Sequence, residues 1–369
     1  MNAIRLPWRG ESVPYALVDV IRGCNCVCRT CYNRVSPRAK PLSEISRELD
    51  VIFASRRVEF VGIIGGEPLL HPDIVGIVKM ISLRGVRSVL MTNGVLWSDG
   101  VARDLAAAGL AMVYFHIQAG QRRPDVPGEA TQTDVERLAL EKTSIAAAAG
   151  IDSAVSSTVR ATDSEMIAEV TSAFRRNRFS SHAFLTLERN MDTIDSGIER
   201  FGAVNSIETL SSVLRPLGWR PFAFNGGKVD PSRPRWVVYH SYQRVDADGD
   251  ETGFVTLTPS LLEKAVFALM NLFGRRIPVR TDPSRCVVLI RIALNAVSGG
   301  RFMNLPFVFS TIFRGERLLR KNIIAEAFPD LMPDGGIEYC DPCMDPVVKN
   351  GRLVPVCLVD TEFAKGVRL

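Results

Sequence analysis

The segment YALVDVIRGCNCVCRTCYN, residues 15–33, decides how this chain is read. The apolar, β-branched run Tyr15–Ile21 fits a buried strand. It leads directly into a loop carrying Cys24, Cys26, Cys28 and Cys31. Cys24, Cys28 and Cys31 are spaced C-x3-C-x2-C, with Tyr32 and Asn33 behind them. Thiolates are soft ligands suited to iron, and three of them on one short loop can serve a single inorganic cluster. Three protein ligands leave one iron of a [4Fe-4S] cluster open to another ligand. Cys26 lies between two expected ligands and reads as a spare buried thiol, with a substituted or an adventitious ligand as alternatives.

Downstream of the loop, apolar runs alternate with helical patterns. Strands are expected over 15–21, 58–64, 86–91, 112–117, 151–159 and 182–187. Helices are expected over 42–53, 72–83, 99–108, 134–149 and 164–176. Buried strands joined by helices argue a parallel sheet with helices outside it. Glycine-rich and polar residues gather where strands end: Gly65-Gly66-Glu67-Pro68, Thr92-Asn93-Gly94, and His116 to Pro124. In α/β barrels that rim carries the chemistry.

The chain's 369 residues are 46% hydrophobic and 23% charged, enough for a large core and a smaller module, with no sign of disorder. The net charge of +5 is spread thinly and does not argue for nucleic acid. It suits an anionic metabolite, a phospholipid headgroup or no particular partner equally well. Eight cysteines are too few for a disulfide scaffold. Clustered thiols without a secretory leader point to metal ligands in a reducing, cytoplasmic compartment. The longest apolar run of interest, Val287 to Val297, is short and interrupted by Arg291, so no membrane span is expected.

The second half is less periodic. Helices are expected over 206–217 and 261–273 and a strand over 236–242, while 222–234 reads as a loop or domain junction. Residues 301–325 mix apolar side chains with Arg314, Arg317, Arg320 and Lys321. Such a segment usually forms a helix with one solvated face, and the alternative is peripheral membrane contact. Cys340-x2-Cys343 precedes an Asn350-Gly351 hairpin signal and Cys357. Together with Cys286 these make a second four-thiol set. An iron–sulfur cluster is the favoured ligand, with zinc or no ligand as alternatives.

The cysteine loop, with Gly23 before it and Tyr32-Asn33 after it, resembles the signature of radical S-adenosylmethionine (SAM, AdoMet) enzymes. Gly65-Gly66-Glu67-Pro68 resembles the segment that holds the methionine amino group, and Thr92-Asn93-Gly94 also follows the family pattern. The resemblance covers about residues 15–190. It implies an α/β fold: a partial (β/α)6 TIM-like barrel over 1–230, then an extension over 231–369 carrying an auxiliary iron–sulfur module. The implied cofactors are a SAM-binding [4Fe-4S] cluster, SAM and an auxiliary [4Fe-4S] cluster. Cys24, Cys28 and Cys31 are the implied cluster ligands, and Cys286, Cys340, Cys343 and Cys357 the auxiliary ones. Gly65, Gly66, Glu67, Pro68, Asn93, Ser156, Ser157 and Arg160 are the implied SAM contacts, although Arg160 could instead pair with Asp163. Thr30 stands where the family often places an aromatic against adenine, which leaves that contact open.

The run Gln118-x-x-Gln121-Arg122-Arg123-Pro124 more weakly resembles a subgroup that includes tetraether lipid synthases and pterin-modifying methylases. That likeness makes Gln118, Gln121 and Arg122 candidate substrate contacts. His116, on the same strand face as Gln118, reads either as a proton or hydrogen-bond donor or as a structural histidine. The expected activity is hydrogen abstraction from an unactivated carbon by a 5'-deoxyadenosyl radical. C–C bond formation or methylation of a small or lipid-like molecule would follow, with electrons from a flavodoxin- or ferredoxin-type donor. Dehydrogenation, epimerisation and peptide modification are alternatives within the class. Outside it stand an iron–sulfur electron carrier and a zinc-stabilised binding module.

Overall fold

The computed structural model describes residues 3–28, 31, 33, 35–188, 199–200, 204–272, 284–298 and 302–361. Thr30 and Tyr32 lie outside these residues. The strands of the first half are β1 (Ile4–Arg5), β2 (Tyr15–Ile21), β3 (Phe60–Gly65), β4 (Arg87–Thr92), β5 (Leu110–His116), β6 (Asp152–Val159) and β7 (His182–Leu187). Between them run α1 (Leu42–Ser55), α2 (Ile74–Ser82), α3 (Asp99–Ala108), α4 (Gln132–Ala148) and α5 (Ser164–Arg176). Strands β2 to β7 are parallel and adjacent in chain order. This is the mixed α/β, partly barrel-like sheet expected from the sequence.

Helix starts follow from local chemistry. Ser98 caps α3 by accepting from Val101 N, and Thr131 with Asp134 forms a capping box on α4. Asp163 caps α5 by accepting from Met166 N. Its carboxylate is thus used there, and Arg160 pairs instead with Glu188 at 2.9 Å.

Alternation along the strands separates two faces. Ala16, Val18, Val61, Ile63, Leu90 and Phe115 pack outward against Ile45, Leu49 and Ile52 of α1 and Ile77 and Ile81 of α2. Each such buried side chain contributes on the order of 1.5–3 kcal/mol. The intervening residues Leu17, Gly62, Met91, Tyr114 and Phe184 face inward and line a cavity of about 440 Å³.

The sheet does not stop at β7. Asn322–Glu326 adds in parallel to β7, Pro234–Tyr239 pairs antiparallel with it, Ala223–Gly226 follows, and β1 closes the row at ten strands. Residues 222–234, read from sequence as a loop, therefore supply a strand. The expected boundary at residue 230 falls in the turn between two paired strands of this sheet. The remaining helices are α6 (Ile207–Leu214), α7 (Leu261–Leu272), α8 (Arg285–Ser298) and α9 (Leu305–Phe313).

The hairpin Pro346–Lys349/Arg352–Pro355 turns at Asn350 and Gly351, whose φ values of 52° and 73° are those the Asn-Gly pair suits. Val347 packs with Leu17 and Ile64, and Leu353 joins the core shared by α1 and β2. The hairpin beside the C-terminal cysteines thus packs on the core of the central sheet.

Candidate cluster and cofactor site

The cysteine loop leaves the end of β2 and is fixed at its root by the next strand end. Gly66 N donates to Ile21 O at 2.7 Å and Glu67 N to Gly23 O at 2.8 Å. A Cβ on Gly66 would lie 2.2 Å from Gly23 O, and one on Gly65 would lie 2.2 Å from Ile21 O. Only glycine permits this approach, so the pair serves contact between two backbones. Pro68 is buried at the first position of a 3-10 turn, Pro68–Leu70.

Glu67 is fully buried. Its Oε1 accepts from Leu69 N at 2.9 Å and Thr92 Oγ1 at 2.6 Å, and its Oε2 accepts from Asn93 N at 2.7 Å. The carboxylate expected to meet a cofactor is here turned to protein donors, joining the ends of β3 and β4. Burial raises its pKa, opposed by those hydrogen bonds. Asn93 carries the brace onward: its Nδ2 donates to Asn25 Oδ1 at 2.7 Å and lies 3.8 Å from Cys24 Sγ.

The far side of the loop is held by the segment after β5. Val27 and Arg122 exchange backbone hydrogen bonds at 3.0 Å each way. Gln121, fully buried, donates from Nε2 to Cys28 Sγ at 3.4 Å and to His116 O at 3.3 Å. Its Oε1 accepts from Gln118 N and from Arg123 Nη1. Arg123 is buried and bound through two nitrogens to Asp125, each at 2.9 Å. Sequence reasoning had singled out its neighbour Arg122, whose side chain is exposed and paired with Glu129. Nothing in a bare Arg-Arg pair says which guanidinium turns inward. Thr92 belongs to the Thr92-Asn93-Gly94 pattern, but its contact with Glu67 is not readable there, because that carboxylate is 25 residues away.

Gln118 is buried and accepts at Oε1 from Thr158 N at 2.9 Å. His116 Nδ1 lies 3.3 Å from Ser156 Oγ. Burial, reinforced by Arg123, pushes the His116 imidazole down to about 4. It is therefore neutral at ordinary pH and acts as a hydrogen-bonding group rather than a cation. Ser157 is buried one position along the strand. A polar cavity of about 530 Å³ opens at this rim, walled by Val27, Gln118, Arg122, Thr158, Arg160 and Glu188.

The thiols fit a cluster by their chemistry. Cys24, Cys26 and Cys28 all have raised pKa values, first through burial, reaching about 12 for Cys26 and about 11 for Cys28. The charges of neighbouring thiolates raise them further, which is what converging ligands do until a metal offsets them. Among the described residues, no group of three or more His, Cys, Asp or Glu side chains is placed to hold a single metal ion. A four-iron cluster makes a different demand, since each thiolate meets its own iron.

Cys340, Cys343 and Cys357 line one small cavity with Glu326 and Asp345. Burial raises the Cys340 and Cys343 thiols well above the usual range. Cys286, expected as their fourth partner, is exposed on α8 and does not line that cavity.

Residues 18–192 match the Radical SAM superfamily. The chain is 32% identical over 153 residues to GTP 3',8-cyclase 3 of Mycobacterium tuberculosis, covering 38% of this chain and 39% of that one. It is 35% identical over 142 residues to GTP 3',8-cyclase of Streptomyces coelicolor, covering 36% and 41%. The chain thus spans about two fifths of the length of these relatives. Among solved structures, Streptococcus suis SuiB bound to S-adenosylmethionine aligns with a TM-score of 0.39 at 18% identity, covering 49% of this chain and 42% of that one. The cysteine loop, the braced strand ends behind it and the family match over residues 18–192 agree, and that region of the chain belongs to the radical SAM superfamily.

Proposed function

We propose that this chain is a radical SAM enzyme whose cluster is carried by Cys24, Cys28 and Cys31 and whose polar rim cavity receives SAM. One observation carries the reading: on a short three-thiol loop at the C-terminal ends of parallel strands, Cys24 and Cys28 are held from opposite sides, by Glu67–Asn93 and by Gln121. A [4Fe-4S] cluster held by Cys24, Cys28 and Cys31 would supply the one-electron reduction of SAM from which radical hydrogen abstraction at a substrate carbon follows.

The chain's own residues do the positioning. Gly65 and Gly66 set the loop's root, and Glu67 acts through Thr92 and Asn93. Asn93 and Gln121 donate toward Cys24 and Cys28, which steadies thiolate charge. Gln118, Ser156, Ser157 and Arg160 offer polar groups for the ribose and carboxylate of SAM, and the rim cavity has the volume of an ordinary small-molecule site. Neutral His116, beneath that rim, hydrogen-bonds the bound substrate or cofactor without adding charge. Arg122 lies at the mouth as a contact for substrate. Cys340, Cys343 and Cys357 would hold an auxiliary cluster from their shared cavity. For the substrate we favour C–C bond formation or methylation at an unactivated carbon, with the electron from a flavodoxin- or ferredoxin-type donor.

Anaerobic reconstitution with iron and sulfide, followed by reduction in the presence of SAM, tests this. The expected result is 5'-deoxyadenosine and methionine from the native chain and none from Cys28→Ala. Undiminished cleavage in Cys28→Ala would defeat the proposal, as would iron uptake with SAM left intact. Cys343→Ala is expected to lower iron content while retaining the paramagnetic signal that responds to SAM.

A further inference from the structure

Helix α7, LLEKAVFALMNL, buries none of its residues. Leu261, Leu262, Val266, Leu269 and Leu272 are between 45% and 77% exposed. Next to it, α8 turns out Val287, Ile290, Leu294 and Val297, and α9 turns out Phe309, Ile312 and Phe313. Arg291 ties α8 to Glu263 of α7 at 3.0 Å, while Val288 and Ile292 of α8 share a core cluster with Phe307 and Val308 of α9. Adjacent helices with this much exposed apolar surface mark an interaction site.

Charge indicates what covers it. Residues 284–320 contain six arginines and one acid, Glu316, which is buried and paired with Arg244. Arg285, Arg314 and Arg317 are exposed. Apolar helices edged with arginine suit an anionic bilayer surface.

The same helices roof the inner cavity of about 440 Å³: Phe267 of α7 and Val287, Val288 and Arg291 of α8 line it. Val287 is both a wall residue and 45% exposed. The other walls are aromatic and aliphatic, including Trp8 and Trp236, with a polar stripe where Asn322 bridges His182 and His240. Charged groups on the wall have partners: Arg320 with Asp152, Arg291 with Glu263, and Asp345 with the Glu326 side chain, burial raising the Asp345 carboxyl above its ordinary value. Met91 and Tyr114 line the cavity; His116 lies two residues on along β5, on the same inward face, and Asn93 follows directly after the end of β4. The cavity therefore lies one side-chain layer below the cysteine-loop rim.

We infer that α7–α9 rest on an anionic bilayer and that the cavity beneath them takes an apolar, uncharged molecule from it, presenting that molecule to the rim. This deepens the reading above and rests on it for the chemistry. Burying a charged ligand among these walls would go uncompensated.

The reconstituted full chain is tested with vesicles of phosphatidylcholine alone and of phosphatidylcholine with phosphatidylglycerol. Co-sedimentation is expected to be at least tenfold stronger on the anionic vesicles and to weaken with salt. Leu262→Glu and Leu269→Glu, both at exposed positions, are each expected to lose at least tenfold. The cavity is read by energy transfer from Trp8 and Trp236 to neutral N-phenyl-1-naphthylamine. That probe is expected to bind at least tenfold tighter than its anionic counterpart, 8-anilino-1-naphthalenesulfonate. Equal sedimentation with both vesicle types, or equal binding of both probes, overturns the inference. So does a dimer that Leu269→Glu dissociates without any vesicle binding, which would make this face a contact between copies. SAM cleavage measured in the same samples separates the two readings. Cleavage without vesicle or probe binding removes this inference alone, and binding without cleavage removes the enzyme reading alone.

Discussion

Glu67 shows how much a single side chain contributes here. It holds three donors from two strand ends without exposure to solvent. In Glu67→Gln, one of those donors must face an amide NH2. An unsatisfied buried group costs about 1–3 kcal/mol, so thermal unfolding should shift down by a corresponding amount. Because Asn93 reaches toward Cys24, iron uptake should fall as well, which a colorimetric iron assay would detect. Cys26 makes the opposite case. It is buried, and no cluster geometry requires its thiol. Cys26→Ser is expected to keep the iron content of the native chain, whereas Cys28→Ser loses it. Equal loss in both would make Cys26 a ligand. The cysteine spacing and the Gly-Gly-Glu-Pro run were legible in the sequence because each is contiguous. The internal use of Glu67 was not, because its partners come from another strand.

Among the elements, β2, α3, α5 and β7 begin and end where periodicity and caps place them. Their signals are local: a strand's apolar run, or a capping Ser98 or Asp163. The strand Asn322–Glu326 has no such signal, since its place beside β7 is set by long-range pairing. Lys321 fastens that strand by donating to the carbonyls of Phe174, Asn177 and Ser180 at the end of α5. The sequence suggested instead a basic surface residue. The contact between β2 and β3 gives a sharper test. A methyl group on Gly66 would collide with the Gly23 carbonyl, and backbone cannot yield as a flexible side chain can. Gly66→Ala should cost about 1–3 kcal/mol and release the loop, lowering iron uptake while far-ultraviolet dichroism keeps its shape. Gly76→Ala, inside α2 with its nearest contact at 3.8 Å, should instead stabilise by about 0.5–1 kcal/mol. Matching losses in both variants would show that the tight approach at Gly66 has no special role.

Across the whole molecule, two histidines far from the cysteine loop join the sheet to the inner cavity. Burial, with Arg291 and Arg320 nearby, pushes His240 down to about 3 and His182 well below its ordinary value. In the unfolded chain both titrate near 6.5. Between about pH 6.5 and 3 the unfolded state therefore binds protons that the folded state refuses, so stability falls as pH falls. The slope approaches at most about 1.4 kcal/mol per pH unit for each histidine, because each takes up one proton on unfolding. His116, held near 4 at the rim, acts in the same direction. Urea midpoints measured from pH 7 to pH 5 should decline steadily in the native chain. His240→Gln removes one titrating group and keeps a hydrogen-bonding side chain beside Asn322, so its decline should be shallower across that window. A decline as steep as the native one would mean that His240 is charged in the folded protein. The stripe that lines the cavity would then attract anions rather than exclude them.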